Sequence, residues 1–240
     1  LSDDYYRSAH IDINYDPKEK GLKQAIADLC NQAENIASQG AVLLILSDKA
    51  IEKGKLPIPA AMAVGAVQNR LVTKNMRCDT NIIVETGTAR DPHQFAVLLG
   101  FGATAIYPYL AYESLAKMVD EGSLAKGYRE VMQNYQSGIN KGLYKIMSKM
   151  GISTVASYRC SQLFEAIGLH AEIITSCFKG VISRIQGADF DDIEQDLFNL
   201  NRIAWIKRKP LQHGGLLKYV HGGEFHAYNP NVVNKLHGNM

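Results

Sequence analysis

The chain has 240 residues, a formal net charge of +2 and an apolar content of 46%. This composition is typical of a globular protein with a sizeable core, and the near-neutral charge gives no reason to expect nucleic acid or a membrane as a partner. The longest apolar run, at residues 41–46, is too short to span a bilayer. The four cysteines form no C-x-x-C pair, so we expect reduced, structural thiols in a reducing compartment, the cytoplasm.

Strand and helix patterns alternate from the start of the chain to about residue 120. The predicted strands are residues 10–15, 41–46, 81–84 and 102–107. The predicted helices run from Asp16-Pro17 to Gly40 and over residues 60–74, 91–99 and 111–121. This order predicts a parallel sheet with right-handed crossovers. The spacing leaves open whether the sheet is flat or curves like part of a (β/α) barrel.

The pattern changes near Gly122. The sequence predicts a mostly helical stretch over 123–150, a strand at 152–155, a short helix at 161–167, an extended segment at 178–185, a helix over 189–209 and a helix beginning at Asn229-Pro230. We therefore predict an α/β fold with a partial barrel-like parallel βαβ sheet, followed by a mixed, mostly helical C-terminal segment.

Residues 141–160 carry four positive charges and no acid, on Lys141, Lys145, Lys149 and Arg159. An ordinary surface helix mixes the two signs, so this segment is expected to face something specific. A phosphate group and an acidic neighbouring surface both fit the pattern.

Polar residues follow the predicted strand at 81–84. Glu85, Arg90 and His93 have the chemistry of an acid, an anion binder and a base, and the carboxyl ends of parallel strands are where sites are built. The other interpretation is an ordinary loop in which Asp91 caps the next helix. Ser47-Asp48 and the segment 107–109 occupy equivalent strand ends.

Three histidines, His213, His221 and His226, cluster near the C-terminus with Glu224. Two histidines and a carboxylate can bind zinc or iron, so a metal- or phosphate-binding module is one interpretation. The glycine pairs in the same segment favour instead a loop that packs against another domain.

Several long motifs together resemble the large subunit of glutamate synthase. They are GAVLLILSD at 40–48, IIVETGTAR at 82–90, GATAIYPYL at 102–110, KIMSKMGIST at 145–154, YRCSQLFEAIG at 158–168 and GGEFHAYNP at 222–230. By this resemblance, residues 1–135 are similar to the later half of the central domain. Residues 136–240 are similar to a connector and the N-terminal part of the FMN-binding domain.

The resemblance implies a parent enzyme of glutamate biosynthesis. In that family a glutaminase domain frees ammonia, which travels through a tunnel to an FMN barrel and adds to 2-oxoglutarate, and the flavin reduces the imine to glutamate. A 3Fe-4S cluster relays electrons from a small NADPH-dependent subunit or from ferredoxin. The central domain carries no cofactor of its own.

For this chain the resemblance implies a fragment, because it begins at Leu1 and lacks the nucleophilic cysteine of the glutaminase, the later barrel and the cluster cysteines. We expect a scaffold between the two active sites that is inert alone, with no catalytic, cofactor or metal residue, and with the rest of the polypeptide as its partner. Exposed apolar surface is expected to favour a homodimer. The candidates for interdomain contact or the ammonia path are Lys145, Ser148, Lys149, Ser153, Tyr158 and Arg159. The alternative is an independent barrel-type enzyme with a small-anion site at Glu85, Arg90 and His93.

Overall fold

The structure is a computed structural model that describes residues 6–207 and 218–238. Its strands are β1 (Ser8–Asp12), β2 (Asn14–Tyr15), β3 (Leu43–Ser47), β4 (Leu56–Pro57), β5 (Asn81–Glu85), β6 (Ala105–Tyr107), β7 (Glu165–Leu169) and β8 (Ile182–Ala188). Its helices are α1 (Leu22–Ser38), α2 (Ala60–Thr73), α3 (Pro92–Gly100), α4 (Tyr109–Asp120), α5 (Tyr128–Lys149), α6 (Val155–Tyr158), α7 (Ala171–Cys177), α8 (Phe190–Ala204) and α9 (Pro230–Gly238).

A four-stranded sheet in the order β1-β3-β5-β6 lies at the centre of the fold, and all of its pairings are parallel. Its core side chains, Leu44, Leu46, Ile82 and Val84, are completely buried. Continuous burial of this kind arises because helices cover a parallel sheet on its faces. The predicted parallel α/β sheet is confirmed, and within the described residues it is open, without a closed barrel.

The predicted start of α1 is wrong by about one turn and a half. The Asp16 carboxylate and carbonyl accept hydrogen bonds from the N–H groups of Lys18 and Glu19, so the chain makes a separate turn there. The helix starts only at Leu22, after Gly21. Its predicted end is confirmed, since Gly40 follows the last turn with a φ of 87°, a conformation that glycine adopts without strain.

Asp91 begins α3 as the sequence predicts. Its side chain accepts a hydrogen bond from the N–H of Gln94 at 3.0 Å, and the Gln94 side chain bonds back to the N–H of Asp91. Pro92 occupies the first turn, where a missing N–H does no harm.

Two predictions after residue 150 are wrong. The segment 152–155 is not a strand, because the Thr154 hydroxyl accepts from the N–H of Ser157 and so caps α6. The segment 161–167 is not a helix, since it runs into β7, which pairs in parallel with β8. The helix between these two strands, α7, was not predicted. The expected extended segment near 178–185 corresponds to β8, shifted toward the C-terminus.

The chain forms two compact units, residues 1–202 and 203–240. In the second unit, Asn229 accepts from the N–H groups of Asn231 and Val232 and so caps α9, as predicted. The predicted helix over 189–209 ends at Ala204, and residues 208 and 209 lie outside the described part of the chain. None of the helices at residues 6–207 and 218–238 combines the length and apolar character needed to cross a bilayer.

Candidate functional site

A buried carboxylate, that of Asp48, lies at the carboxyl edge of the sheet. It accepts hydrogen bonds from the Thr86 hydroxyl at 2.5 Å and from the Gly87 N–H at 3.0 Å. Burial raises the pKa of the Tyr109 hydroxyl, and the negative charge of Asp48 adds to the shift. These contacts join the ends of β3 and β5 and the start of α4, so that the carboxylate stabilises the edge of the sheet.

Glu85 lies directly opposite Ser47 in the parallel register. The Ser47 hydroxyl donates to the Glu85 carboxylate at 2.6 Å, and the Lys49 ammonium is 3.8 Å from it. The same ammonium lies 5.5 Å from the centre of the Tyr109 ring. Glu85 therefore already has a hydroxyl donor and a positive charge as neighbours. Lys49 was not among the predicted residues, although its place just after β3 is the signal that points to it.

Arg90 and His93 take other partners. The Arg90 N–H donates to the Gln94 side chain at 2.7 Å, and the Arg90 carbonyl accepts from the Tyr135 hydroxyl at 3.0 Å. His93 is exposed and lines a cavity between α3 and the start of α2. Within the described residues no hydrogen bond or ion pair joins Glu85, Arg90 and His93, so the structure does not assemble them into one acid–base site.

The basic segment 141–160 comprises the second half of α5, a turn and α6. Its apolar side packs on α3, where Met147 and Tyr158 form a small core with Ala96 and Leu99. The backbone of α5 approaches α3 so closely at Gly142 that a Cβ there would overlap the Pro92 ring. This packing turns the opposite side of α5 outward.

The predicted interdomain residues divide into two groups. Lys145, Ser148, Lys149 and Ser153 are exposed, and the structure gives no ion pair between either lysine and any described acid. Tyr158 is only 2% exposed, so its ring belongs to the core of this chain. The last member, Arg159, is partly buried and donates to the Thr104 hydroxyl at 3.1 Å.

The C-terminal histidines are only partly described. His213 lies outside the described residues. In the second unit the Nε2 atom of His226 is 4.0 Å from the Glu224 carboxylate. Over residues 6–207 and 218–238, no group of three or more His, Cys, Asp or Glu side chains is placed to hold a metal ion.

The sequence matches one protein family over most of its length. The family model of the glutamate synthase central domain covers residues 1–170. The chain belongs to the glutamate synthase central-domain family. This confirms the resemblance that the motifs at 82–90 and 102–110 indicated, whereas the predicted division near residue 135 stays a prediction.

Full-length glutamate synthases show the same likeness. The glutamate synthase (NADPH) large chain of Bacillus subtilis is 42% identical over 233 residues, which are 96% of this chain and 15% of that relative. The ferredoxin-dependent glutamate synthase of Pyropia yezoensis is 38% identical over 91% of this chain and 15% of its own length. The glutamate synthase (NADH) of Schizosaccharomyces pombe is 36% identical over 96% of this chain and 11% of its own length. The chain therefore spans a small part of each glutamate synthase that it matches.

Solved structures add little to this. A flavocytochrome b2 variant with sulfite bound superposes with a TM-score of 0.44 at 13% identity, over 78% of this chain and 41% of that one. A likeness of that extent establishes neither a shared fold nor a shared activity.

Proposed function

We propose that this chain is the region of a glutamate synthase that lies between the glutaminase domain and the FMN domain. The observation that carries the proposal is the 42% identity over 96% of the chain to one region of a glutamate synthase large chain. The parent protein makes glutamate from 2-oxoglutarate and glutamine-derived ammonia, with FMN and a 3Fe-4S cluster bound elsewhere in the polypeptide. NADPH or ferredoxin supplies its electrons in the cytoplasm.

The role of the chain in this proposal is to hold the two active sites at a fixed separation. Free ammonia in neutral water is mostly protonated and loses the lone pair that attacks the keto acid, so a continuous protein path preserves its reactivity. The carboxylates of Asp48 and Glu85 already have hydrogen-bond or ion-pair partners within the chain, which supports a structural role for this edge of the sheet. Residues 1–135 form the end of the central domain in this scheme, and 136–240 form the connector and the entry to the FMN domain.

The outward side of α5 is the surface proposed to contact the FMN domain. Its exposed lysines Lys141, Lys145 and Lys149 recur at every fourth position and so follow one side of the helix. A row of positive charges of this kind fits an acidic surface or the phosphate of a cofactor. Ser148 and Ser153 add exposed hydroxyl groups beside it, while Tyr158 and Arg159 hold the segment in place from the inside.

Exposed isoleucines on the small β7–β8 sheet support the proposed self-association of the isolated chain. Ile167 is 75% exposed, Ile182 is 55% exposed and Ile185 is 60% exposed. A parallel sheet is normally covered on both faces, so another part of the parent or a second copy is expected to cover this one. Light scattering of the isolated chain gives its mass in solution and so shows whether a second copy covers this sheet.

A segment exchange tests the proposed function. In the Bacillus subtilis large chain, the region that aligns with this chain is replaced by these residues to give a chimaera. We expect the chimaera to convert glutamine and 2-oxoglutarate to glutamate, because both flanking active sites keep the scaffold they need. A chimaera that folds and binds FMN but makes no glutamate, even with added ammonia, would contradict the proposal.

A flavin titration tests the proposed inertness of the isolated chain. FMN is added to the purified chain while its fluorescence is followed. Unchanged fluorescence agrees with a scaffold whose flavin site lies in other parts of the parent. Stoichiometric quenching would mean that residues 136–240 hold part of the flavin site.

A further inference from the structure

An open cavity of about 390 Å³ lies where α1, α2 and α7 meet, and its wall is basic. All of its charged side chains are cations, and no acidic residue is among the described residues that line it. The cations are Lys23 from α1, Arg70 from α2, Lys74 directly after α2 and Lys179 after α7. Small-molecule sites have volumes of about 300–1,000 Å³. The cavity therefore has the size and the charge of a site for a small anion.

Arg70 and Lys74 share one acidic partner. The Glu34 carboxylate is 2.9 Å from the Nη1 atom of Arg70 and 2.8 Å from the Nζ atom of Lys74, so one negative charge balances two positive ones. Arg70 Nη1 also donates to the Asn31 side-chain oxygen at 2.8 Å. The structure gives the Nε and Nη2 atoms of Arg70 no hydrogen bond to a described residue. Arg70 therefore lines the cavity with donors that remain available to a ligand.

Lys179 adds a second surplus positive charge. Lys23 forms an ion pair with Glu172 and so joins α1 to α7, which leaves its charge balanced. Lys179 is exposed, and the structure gives it no ion pair with a described acid. The cations of the wall and their direct acidic partners therefore carry two more positive charges than negative ones. Like charges that line one cavity repel each other, and an anion bound among them relieves that repulsion.

An apolar patch lies in the same wall. Ile26 and Cys30 of α1, Ala66 of α2 and Phe190 at the start of α8 are buried side chains that line the cavity. A patch of this kind accommodates the apolar part of a ligand, while the cations surround its charged group. The wall thus fits a molecule with one strongly charged end and one apolar end.

We propose that this cavity is a binding site for a phosphate monoester, whose phosphate group contacts Arg70 and Lys179. A phosphate monoester carries a charge of about −1.5 to −2 at pH 7, which matches the two surplus positive charges. The guanidinium group presents a planar fork of donors that binds two phosphate oxygens, and the lysine ammonium adds a point charge. None of the described residues that line the cavity belongs to α5, so the site does not depend on the scaffold role proposed above.

Thermal unfolding of the full chain with phenyl phosphate tests the site. This probe combines a phosphate group with an apolar ring, and sodium chloride keeps the ionic strength constant during the titration. Binding to the folded state raises Tm by about 4 °C when the probe reaches ten times its Kd. Benzoate, which has the same ring and a single charge, is expected to raise Tm much less at the same concentration. The absence of any rise with phenyl phosphate, or an equal rise with benzoate, would overturn the proposal.

Lys179→Gln is the decisive variant, because it removes one surplus charge without breaking an ion pair to a described acid. Its Tm without ligand is expected to stay close to that of the unchanged chain, since the side chain is exposed. It should lose most of the rise with phenyl phosphate, whereas Lys179→Arg should keep it. Lys53→Gln, at another exposed lysine outside the cavity, is the matched control and should keep the whole rise. An equal rise in the unchanged chain and in Lys179→Gln would also overturn the proposal.

Discussion

The carboxylate of Glu194 in α8 accepts a hydrogen bond from the backbone N–H of Leu22, the first residue of α1, at 3.2 Å. The other oxygen of the same carboxylate accepts from the Tyr15 hydroxyl at 3.3 Å. The residue before the helix is Gly21, which has no side chain to cap it. A carboxylate far along the chain therefore satisfies the free N–H and the dipole at the start of α1.

Removing this distant cap is expected to destabilise the fold. Glu194→Ala should lower the free energy of unfolding by about 1–2 kcal/mol, because it leaves the Leu22 N–H without an acceptor. Glu194→Gln, which keeps an oxygen, should lose less. Urea unfolding monitored by circular dichroism measures both. The control is Asp196→Ala, at an exposed position on the same helix, and a loss there as large as in Glu194→Ala would contradict the capping role.

Two glycines of α5 are expected to respond to alanine in opposite directions. A Cβ at Gly142 would overlap the Pro92 ring, so Gly142→Ala should destabilise the chain by about 1–3 kcal/mol. Nothing lies within 4 Å of a Cβ at Gly138. Gly138→Ala should therefore stabilise the chain by about 0.5–1 kcal/mol through helix propensity alone. Equal changes in the urea midpoints of the two variants would show that α5 does not approach α3 at Gly142.

The free energy of unfolding is expected to decrease at alkaline pH because of the raised pKa of the Tyr15 hydroxyl. Burial, and then the negative charge of Glu194, raise the pKa of the Tyr15 hydroxyl well above its ordinary value of 10.0. Above that ordinary value the unfolded chain loses this proton while the folded chain keeps it, so the free energy of unfolding decreases as the pH rises. Tyr15→Phe should flatten the decrease, by at most about 1.4 kcal/mol per pH unit. Urea unfolding between pH 9 and 11 measures how steeply the free energy of unfolding decreases with pH. The same slope in the unchanged chain and in Tyr15→Phe would contradict the assignment of this decrease to Tyr15.

The buried carboxylate of Asp48 is expected to be more important for stability than an exposed one. Asp48→Asn replaces one acceptor oxygen with a donor that faces the Gly87 N–H or the Thr86 hydroxyl. The mismatch should lower the free energy of unfolding by about 1–3 kcal/mol. Asp79→Asn, at an exposed position, is the matched control and should change it little. If the two substitutions shift the urea midpoint equally, the network at the carboxyl edge is not stabilising.

Three predictions that depend on local sequence signals agree with the structure. Asp91 caps α3, as the Asp-Pro sequence indicated, and Gly40 ends α1 where a positive φ is needed. The apolar run at 41–46 marks β3 because a strand buried on both faces needs such a run.

Features that depend on distant partners were not predictable. The start of α1 was placed too early because its cap, Glu194, comes from another helix. The segment 161–167 was predicted as a helix because its pairing with β8 cannot be read from local periodicity. The same holds for Arg70 and Lys179, which sequence inspection did not single out, since only the fold brings them to one cavity.

The scaffold role is tested most directly by the amount of 2-oxoglutarate consumed per glutamine hydrolysed in the chimaera. If ammonia is channelled, the amounts of 2-oxoglutarate consumed and of glutamine hydrolysed should be equal. Lys145→Glu with Lys149→Glu reverses the charge on the outward side of α5 and should lower this ratio, because ammonia then accumulates in solution. The control is Lys18→Glu with Lys53→Glu, two exposed lysines for which the structure gives no ion pair with a described acid, and it should keep the ratio unchanged. An unchanged ratio in the α5 variant would contradict the role of this surface in joining the two active sites.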